Sequence, residues 1–227
     1  MITINNSNLP PRRAYKFMEP KWLEKLKNDS KFFINHLNNY PESLLGKNVG
    51  DDLEGRATKK IVFNNYTLGS LRNEALEKEV SSYAVYSSPG SKMSLKNVAV
   101  VSQEIDMNQY VYCLTFDYNE EMRAEFGGSV LIIEDFHEFA YWINRKMEKR
   151  NNYLSAFDTC QYIDSRKVSF DQNAQDFKLF PGLIKDSRYS KQNEFRFLWR
   201  KNDNSPITKP ITDLYVPEAL KYCKFDF

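Results

Sequence analysis

The sequence is poor in the residues that most often build metal and nucleophile sites, with two histidines and three cysteines. Cys113, Cys160 and Cys223 are widely spaced and form no CxxC pair. That excludes a disulfide framework and suits a reducing cytosol. A structural zinc site needs about four Cys, His or carboxylate ligands at suitable spacing, and no such set is present, so no metal is expected. His137 falls in the first turn of an amphipathic segment. His36 is then the one credible base for a Cys or Ser nucleophile, and no nucleophile elbow accompanies it. There is no Walker loop and no GxGxxG following a strand, which argues against P-loop and Rossmann nucleotide sites. No apolar run approaches the about 18–20 residues of a membrane span, and the polar, Asn-rich start (1–11) does not read as a signal peptide. A cytoplasmic protein without a membrane partner is expected. A charge excess is missing too: 32 Lys and Arg stand against 30 Asp and Glu. This balance argues against a general nucleic-acid coat. It leaves room for local basic clusters, at Arg145, Lys146, Lys149 and Arg150 and from Lys185 to Arg200.

What the chain does have is aromatic residues, 16 Phe and 14 Tyr, which lean toward sheet. No Pro/Gly/Ser-rich linker divides it, so one domain over 14–227 is expected, after an extended segment at 1–13. Strand, short helix, strand is predicted for the first 40 residues: Ala14–Phe17, a helix opening at Pro20, and Lys31–Leu37. A loop at 39–56 carries Gly50-Asp51-Asp52-Leu53-Glu54-Gly55. Its carboxylates suit capping of backbone N–H groups or pairing with Arg56, and a direct role in a site stays open. A short strand follows at Ile61–Tyr66 and a helix at 71–86, while Met93–Val101 fits either helix or strand. Alternation marks Gln109–Asp117 as a strand. Asn119 is placed to cap a short helix ended by Gly127-Gly128. Ser129–Ile133 reads as a buried strand, and Phe139, Trp142, Ile143 and Met147 mark the apolar stripe of a helix over 136–150. A strand pair is expected at 156–163 and 167–170, around Asp164-Ser165.

The stretch Tyr189–Arg200 combines a strand pattern with ionisable groups that a strand does not need. Phe195, Phe197 and Trp199 alternate onto one face, the natural core face. Gln192, Glu194 and Arg196, two residues apart, then form a row on the other face. That row is either a solvated face or a catalytic one, with Arg196 in a supporting role. Chemistry that needs neither metal nor histidine is available to it. Transfer of ADP-ribose from NAD passes through an oxocarbenium-like ribose, as glycoside cleavage does. It requires a carboxylate at the ribose, an aromatic platform and a group for the phosphates.

Gln192-Asn193-Glu194 resembles the Gln-x-Glu motif of ADP-ribosyltransferases, and Arg13-Ala14-Tyr15-Lys16-Phe17 resembles that family's NAD-holding first strand. The wider set consists of Tyr15-Lys16-Phe17, the Gly50–Gly55 loop, Cys113-Leu114-Thr115, Phe126-Gly127 and Gln192 to Arg196. This set is similar to that of a group of bacterial proteins frequent among phage-defence and toxin–antitoxin systems, a likeness covering roughly residues 14–200. The resemblance implies an α+β fold with a split mixed β-sheet and flanking helices. It implies NAD as substrate, with no metal. Glu194 would be catalytic and Gln192 would face the acceptor. Tyr15, Lys16 and Arg13 would hold NAD, with Asn35, Tyr40 or Thr115 supplying the middle motif. The family's first-motif Arg or His is replaced here by Lys16 or Arg13, and its middle Ser-Thr-Ser triplet is absent. An intracellular toxin or anti-phage effector acting on a protein or nucleic acid, with an antitoxin or chaperone partner, follows from the resemblance. The alternatives are an NAD glycohydrolase, and a non-enzymatic interaction or sensor module.

Overall fold

The structure is a computed structural model that describes residues 13–40, 50–70, 72–81, 83 and 91–227. The extended segment expected at 1–13, apart from Arg13, lies outside the described residues. So do parts of the 39–56 loop and of the 71–86 helix.

The chain opens as its pattern predicts, with β1 (Ala14–Met18), α1 (Pro20–Asp29) and β2 (Lys31–His36). Pro20 starts the helix, where a missing N–H costs nothing. Ser30 ends it in the left-handed region at φ 54°, its N–H returning to the Leu26 carbonyl. Leu23 and Leu26 are the buried face of α1. The expected short strand at 61–66 is longer, β3 (Arg56–Leu68), and α2 (Glu74–Ser81) follows it. The ambiguous stretch beyond is β4 (Met93–Ile105), antiparallel to β3 along its whole length. Its run of Val98 to Val101 suits a strand.

The second half comprises β5 (Tyr110–Thr115), α3 (Glu120–Glu125), β6 (Ser129–Ile133), α4 (Phe136–Lys149), β7 (Asn152–Thr159), β8 (Gln161–Tyr162) and β9 (Lys167–Asp171). After these come β10 (Ile184–Lys185), β11 (Glu194–Lys201), β12 (Ile211–Tyr215), α5 (Pro217–Leu220) and β13 (Cys223–Asp226). Asn119 caps α3 through the amides of Glu121 and Met122, and the Asp135 carboxylate caps α4 through that of Glu138.

The α+β class is as expected, but the single mixed sheet is three sheets. The eight strands of the largest all pair antiparallel, and the parallel pairings belong to the smaller ones, β10 with β8 and β3 with β9. The strand pair expected around Asp164-Ser165 does not form. Ser165 and Arg166 both have positive φ and turn the chain away, so β7 pairs with β11 while β9 joins β3.

In the large sheet β5 has β11 along one edge and two strands on the other. Tyr15 of β1 pairs with Thr115 at one end, while Asn35 and His36 of β2 pair with Val111 and Tyr110 at the other. Between them the edge is split. One face of the sheet carries the main core, where Phe195, Phe197 and Trp199 meet Phe139, Ile143 and Met147 of α4. Phe136 sits at its centre, with ring centroids of Phe116, Phe157, Phe195 and Phe197 at 5.0, 5.6, 5.2 and 5.9 Å. A second core lies between β3 and α2.

Gly127 and Gly128, after α3, both have positive φ. A Cβ on Gly127 would fall 2.8 Å from Cα and 2.9 Å from N of Glu19, whereas one on Gly128 would meet nothing within 4 Å. Both alanine variants carry the left-handed cost of about 1–2 kcal/mol. Gly127→Ala adds a backbone clash of about 1–3 kcal/mol, so it should be the less stable of the two in urea denaturation.

Candidate active-site cleft

The split in the sheet makes the site. Extending the β1 register would set Phe17 opposite Cys113, and extending that of β2 would set Phe33 there; neither strand occupies the slot. The Cys113 carbonyl is satisfied instead by a side chain, Lys16, whose Nζ donates to it at 2.9 Å and lies 4.3 Å from the Tyr112 ring centroid. A cavity of about 640 Å³ opens between the diverging strands. That is within the size range of small-molecule and cofactor sites. Trp22, Phe33 and Phe126 line its apolar part, Lys25 and Lys31 contribute cationic side chains, and Glu194 lies in its polar part.

At the polar end, Tyr15 of β1, Thr115 of β5 and Glu194 of β11 stand opposite one another on three adjacent strands. Cross-strand partners share a face, so the three side chains project to the same side. Glu194 accepts from Lys185 Nζ through Oε1 at 2.8 Å and from Arg196 Nε through Oε2 at 2.7 Å. The Arg196 guanidinium continues into a two-pronged pair with Glu54, at 2.7 and 2.8 Å, and donates to the Gly182 carbonyl at 2.7 Å. The acidic loop is thereby drawn into the site. Asp51 pairs with buried Arg166 and accepts from the Leu53 amide, while Glu54 pairs with Arg196 and Lys185. The suggested partner Arg56 does not take that place, because it starts β3 opposite Ile105.

Burial alone would push the Glu194 carboxyl up, but the Arg196 guanidinium and Lys185 ammonium outweigh it and hold the group well below its ordinary value of 4.5. Glu194 is therefore a fixed anion. Burial lowers the Lys16 ammonium, raises the Tyr40 phenol and pushes the Cys113 thiol up to about 11. The depressed Glu194 carboxyl gives a pH signature. Its contribution to stability is fully present above the unfolded pKa and is lost as pH falls through the folded one. The gap in unfolding free energy between the wild type and Glu194→Gln should therefore narrow as pH drops below about 4.3, the unperturbed Glu value, and stay constant from there to neutrality.

Of the eight site residues read from the sequence, Tyr15, Lys16, Asn35, Tyr40, Thr115, Gln192 and Glu194 line this cavity, and Arg13 does not. Arg13 precedes the first β1 residue, Ala14, which pairs with Ile133 at the end of β6. It is exposed there and lies 3.6 Å from Glu134, so of the two cations Lys16 is the one that lines the cavity. Asn35 spends its amide on the turn after β2, with Asn39 and the His36 amide. Gln192 is not on the strand: it ends a 3-10 turn (Ser187–Gln192), and Asn193 at φ 37° separates it from β11. It still faces the site because Lys185 holds its Oε1 at 2.6 Å. His36 is buried on β2 and does not line the cavity, and His137 is exposed on α4.

Lys185 is the residue that sequence reasoning missed. In the sequence it stood only as the first cation of the basic cluster that runs to Arg200, after the apolar Gly182-Leu183-Ile184. No family model, curated protein or solved structure matches this chain. Among the described residues no group of three or more His, Cys, Asp or Glu is placed to hold a metal. Among them, too, no helix is long and apolar enough to cross a membrane.

Proposed function

We propose that the cleft binds NAD and that the chain is an ADP-ribosyltransferase, with an ADP-ribosyltransferase-like split sheet, acting as an intracellular toxin or anti-phage effector. The observation that carries the reading is the row Tyr15, Thr115 and Glu194. Two stretches that resemble the family's first and last motifs, and Thr115, one of the three candidates for its middle motif, are about 100 and 80 residues apart in sequence and stand side by side on adjacent strands in register.

The chemistry follows from that row and the groups behind it. The bond between the nicotinamide nitrogen and the ribose C1′ breaks, and its electron pair leaves on the nicotinamide, whose positive charge it cancels. The ribose is left oxocarbenium-like. The Glu194 carboxylate, kept ionised by Lys185 and Arg196, accepts a ribose hydroxyl hydrogen bond and stabilises the developing positive charge. The nucleophile of the acceptor then forms the new bond to C1′ and releases its proton to solvent. Lys16, with Lys25 and Lys31, answers the negative diphosphate, and Tyr15 and the aromatic wall accommodate the flat rings. The acceptor is a protein or a nucleic acid; the toxin role rests on the resemblance in sequence alone.

Incubation with adenine-labelled NAD, alone and with cell protein or with RNA and DNA, tests the reading. Label on a macromolecule is the expected result, and free ADP-ribose without transfer would mark an NAD glycohydrolase. No nicotinamide release under any of these conditions would leave the cleft to a non-enzymatic module.

A further inference from the structure

The group that joins the two residues of the Gln-x-Glu motif comes from outside the motif. Lys185, on the two-residue strand β10, is 2% exposed. Its Nζ donates to Gln192 Oε1 at 2.6 Å and to Glu194 Oε1 at 2.8 Å, with Glu54 Oε1 at 3.7 Å and the Tyr189 ring centroid at 4.7 Å. An ammonium only donates, so it fixes the Gln192 amide with its oxygen toward Lys185. Gln192 and Glu194 lie on different elements, a 3-10 turn and a strand, and no backbone regularity aligns their side chains.

Burying a lysine here is a poor way to gain stability. Apolar residues in place of a whole buried ion pair commonly stabilise as well or better. The four charges Lys185, Arg196, Glu54 and Glu194 are balanced, two of each sign, and the ammonium stands where it touches both motif residues. We propose that Lys185 is a positioning residue of the site, locking the Gln192 amide and the Glu194 carboxylate into one unit that faces the cleft. This rests on the reading of Glu194 as the reacting carboxylate.

Lys185→Met removes the charge and keeps apolar bulk. Glu194 is then left with Arg196, which Glu54 also claims, and with Lys16 on the far strand. The other groups facing it, Cys113, Cys160, Tyr40 and Tyr162, are thiols and phenols that cannot be cations, and burial pushes each upward and keeps it neutral rather than anionic. In protein labelled with 13C at glutamate carboxyls, with Glu194→Gln used to assign the signal, the Glu194 midpoint should therefore rise in Lys185→Met. In the transfer assay kcat should fall by about 100-fold, the scale of a displaced reacting group, while KM for NAD changes little.

A folded Lys185→Met protein with the Glu194 midpoint and kcat unchanged overturns the proposal. A shifted midpoint in a protein whose wild type releases no nicotinamide supports the link and overturns the transferase reading, which separates the two failures. Should Lys185→Met not fold, the wild type and Glu194→Gln decide. The Lys185 ammonium should give a slowly exchanging 15N signal that moves in Glu194→Gln, and exchange as fast as that of surface lysines overturns the proposal.

Discussion

Arg196→Met should lower the free energy of unfolding by about 3–5 kcal/mol, the scale of breaking a buried ion pair from one side. Arg196 is 1% exposed, and its guanidinium meets two carboxylates and a backbone carbonyl. Methionine fills much of the same space but leaves Glu54 and Glu194 both buried with Lys185 as their one remaining ion-pair partner among the described residues. The loss comes from that uncompensated anion rather than from a cavity. Arg150→Met is the fitting control. Arg150 also makes a hydrogen-bonded pair, with Asp213, but on the surface, where solvent screening leaves such pairs little net effect. Urea denaturation followed by tryptophan fluorescence measures both. A loss for Arg196→Met no larger than for Arg150→Met would mean that the network does not hold the acidic loop to the sheet.

What could be read in the sequence was mostly local. The alternation of Phe195, Phe197 and Trp199 gave the core face of β11. Pro20 gave the start of α1, Asn119 gave the cap of α3, and the stripe from Phe139 to Met147 gave the buried side of α4. Each depends on residues within one or two turns or on a two-residue period. The failures have a common cause in distance. Glu54 and Arg196 are 142 positions apart, and an acidic cluster between glycines does not announce which arginine it will meet. Lys185 is buried because β10 pairs in parallel with β8, a pairing of two residues that leaves no pattern.

Gln192 shows the limit of a periodicity argument. The two-residue rule holds within a strand, and the strand begins at Glu194. The side chain reaches the expected neighbourhood through a lysine instead of through backbone geometry. Arg13 and Lys16 were indistinguishable as cations in sequence. Only the register of β1 against β6 puts one at the rim beside Glu134 and the other in the split.

In the proposed reaction Glu194 is the carboxylate that stabilises the ribose as nicotinamide leaves. Glu194→Gln keeps the size and polarity of the side chain and removes the charge. Preorganised electrostatic contacts in a site from which water is excluded are each worth roughly 10²–10³ in kcat, and a loss of at least that order is expected, with NAD still bound. The most direct measurement is the rate of nicotinamide release from NAD under saturating conditions, wild type against Glu194→Gln, both shown to be folded by their amide spectra. Release by the wild type and a fall of roughly 10²-fold or more in the variant are the expected results. Equal rates in the two proteins would contradict this role of Glu194.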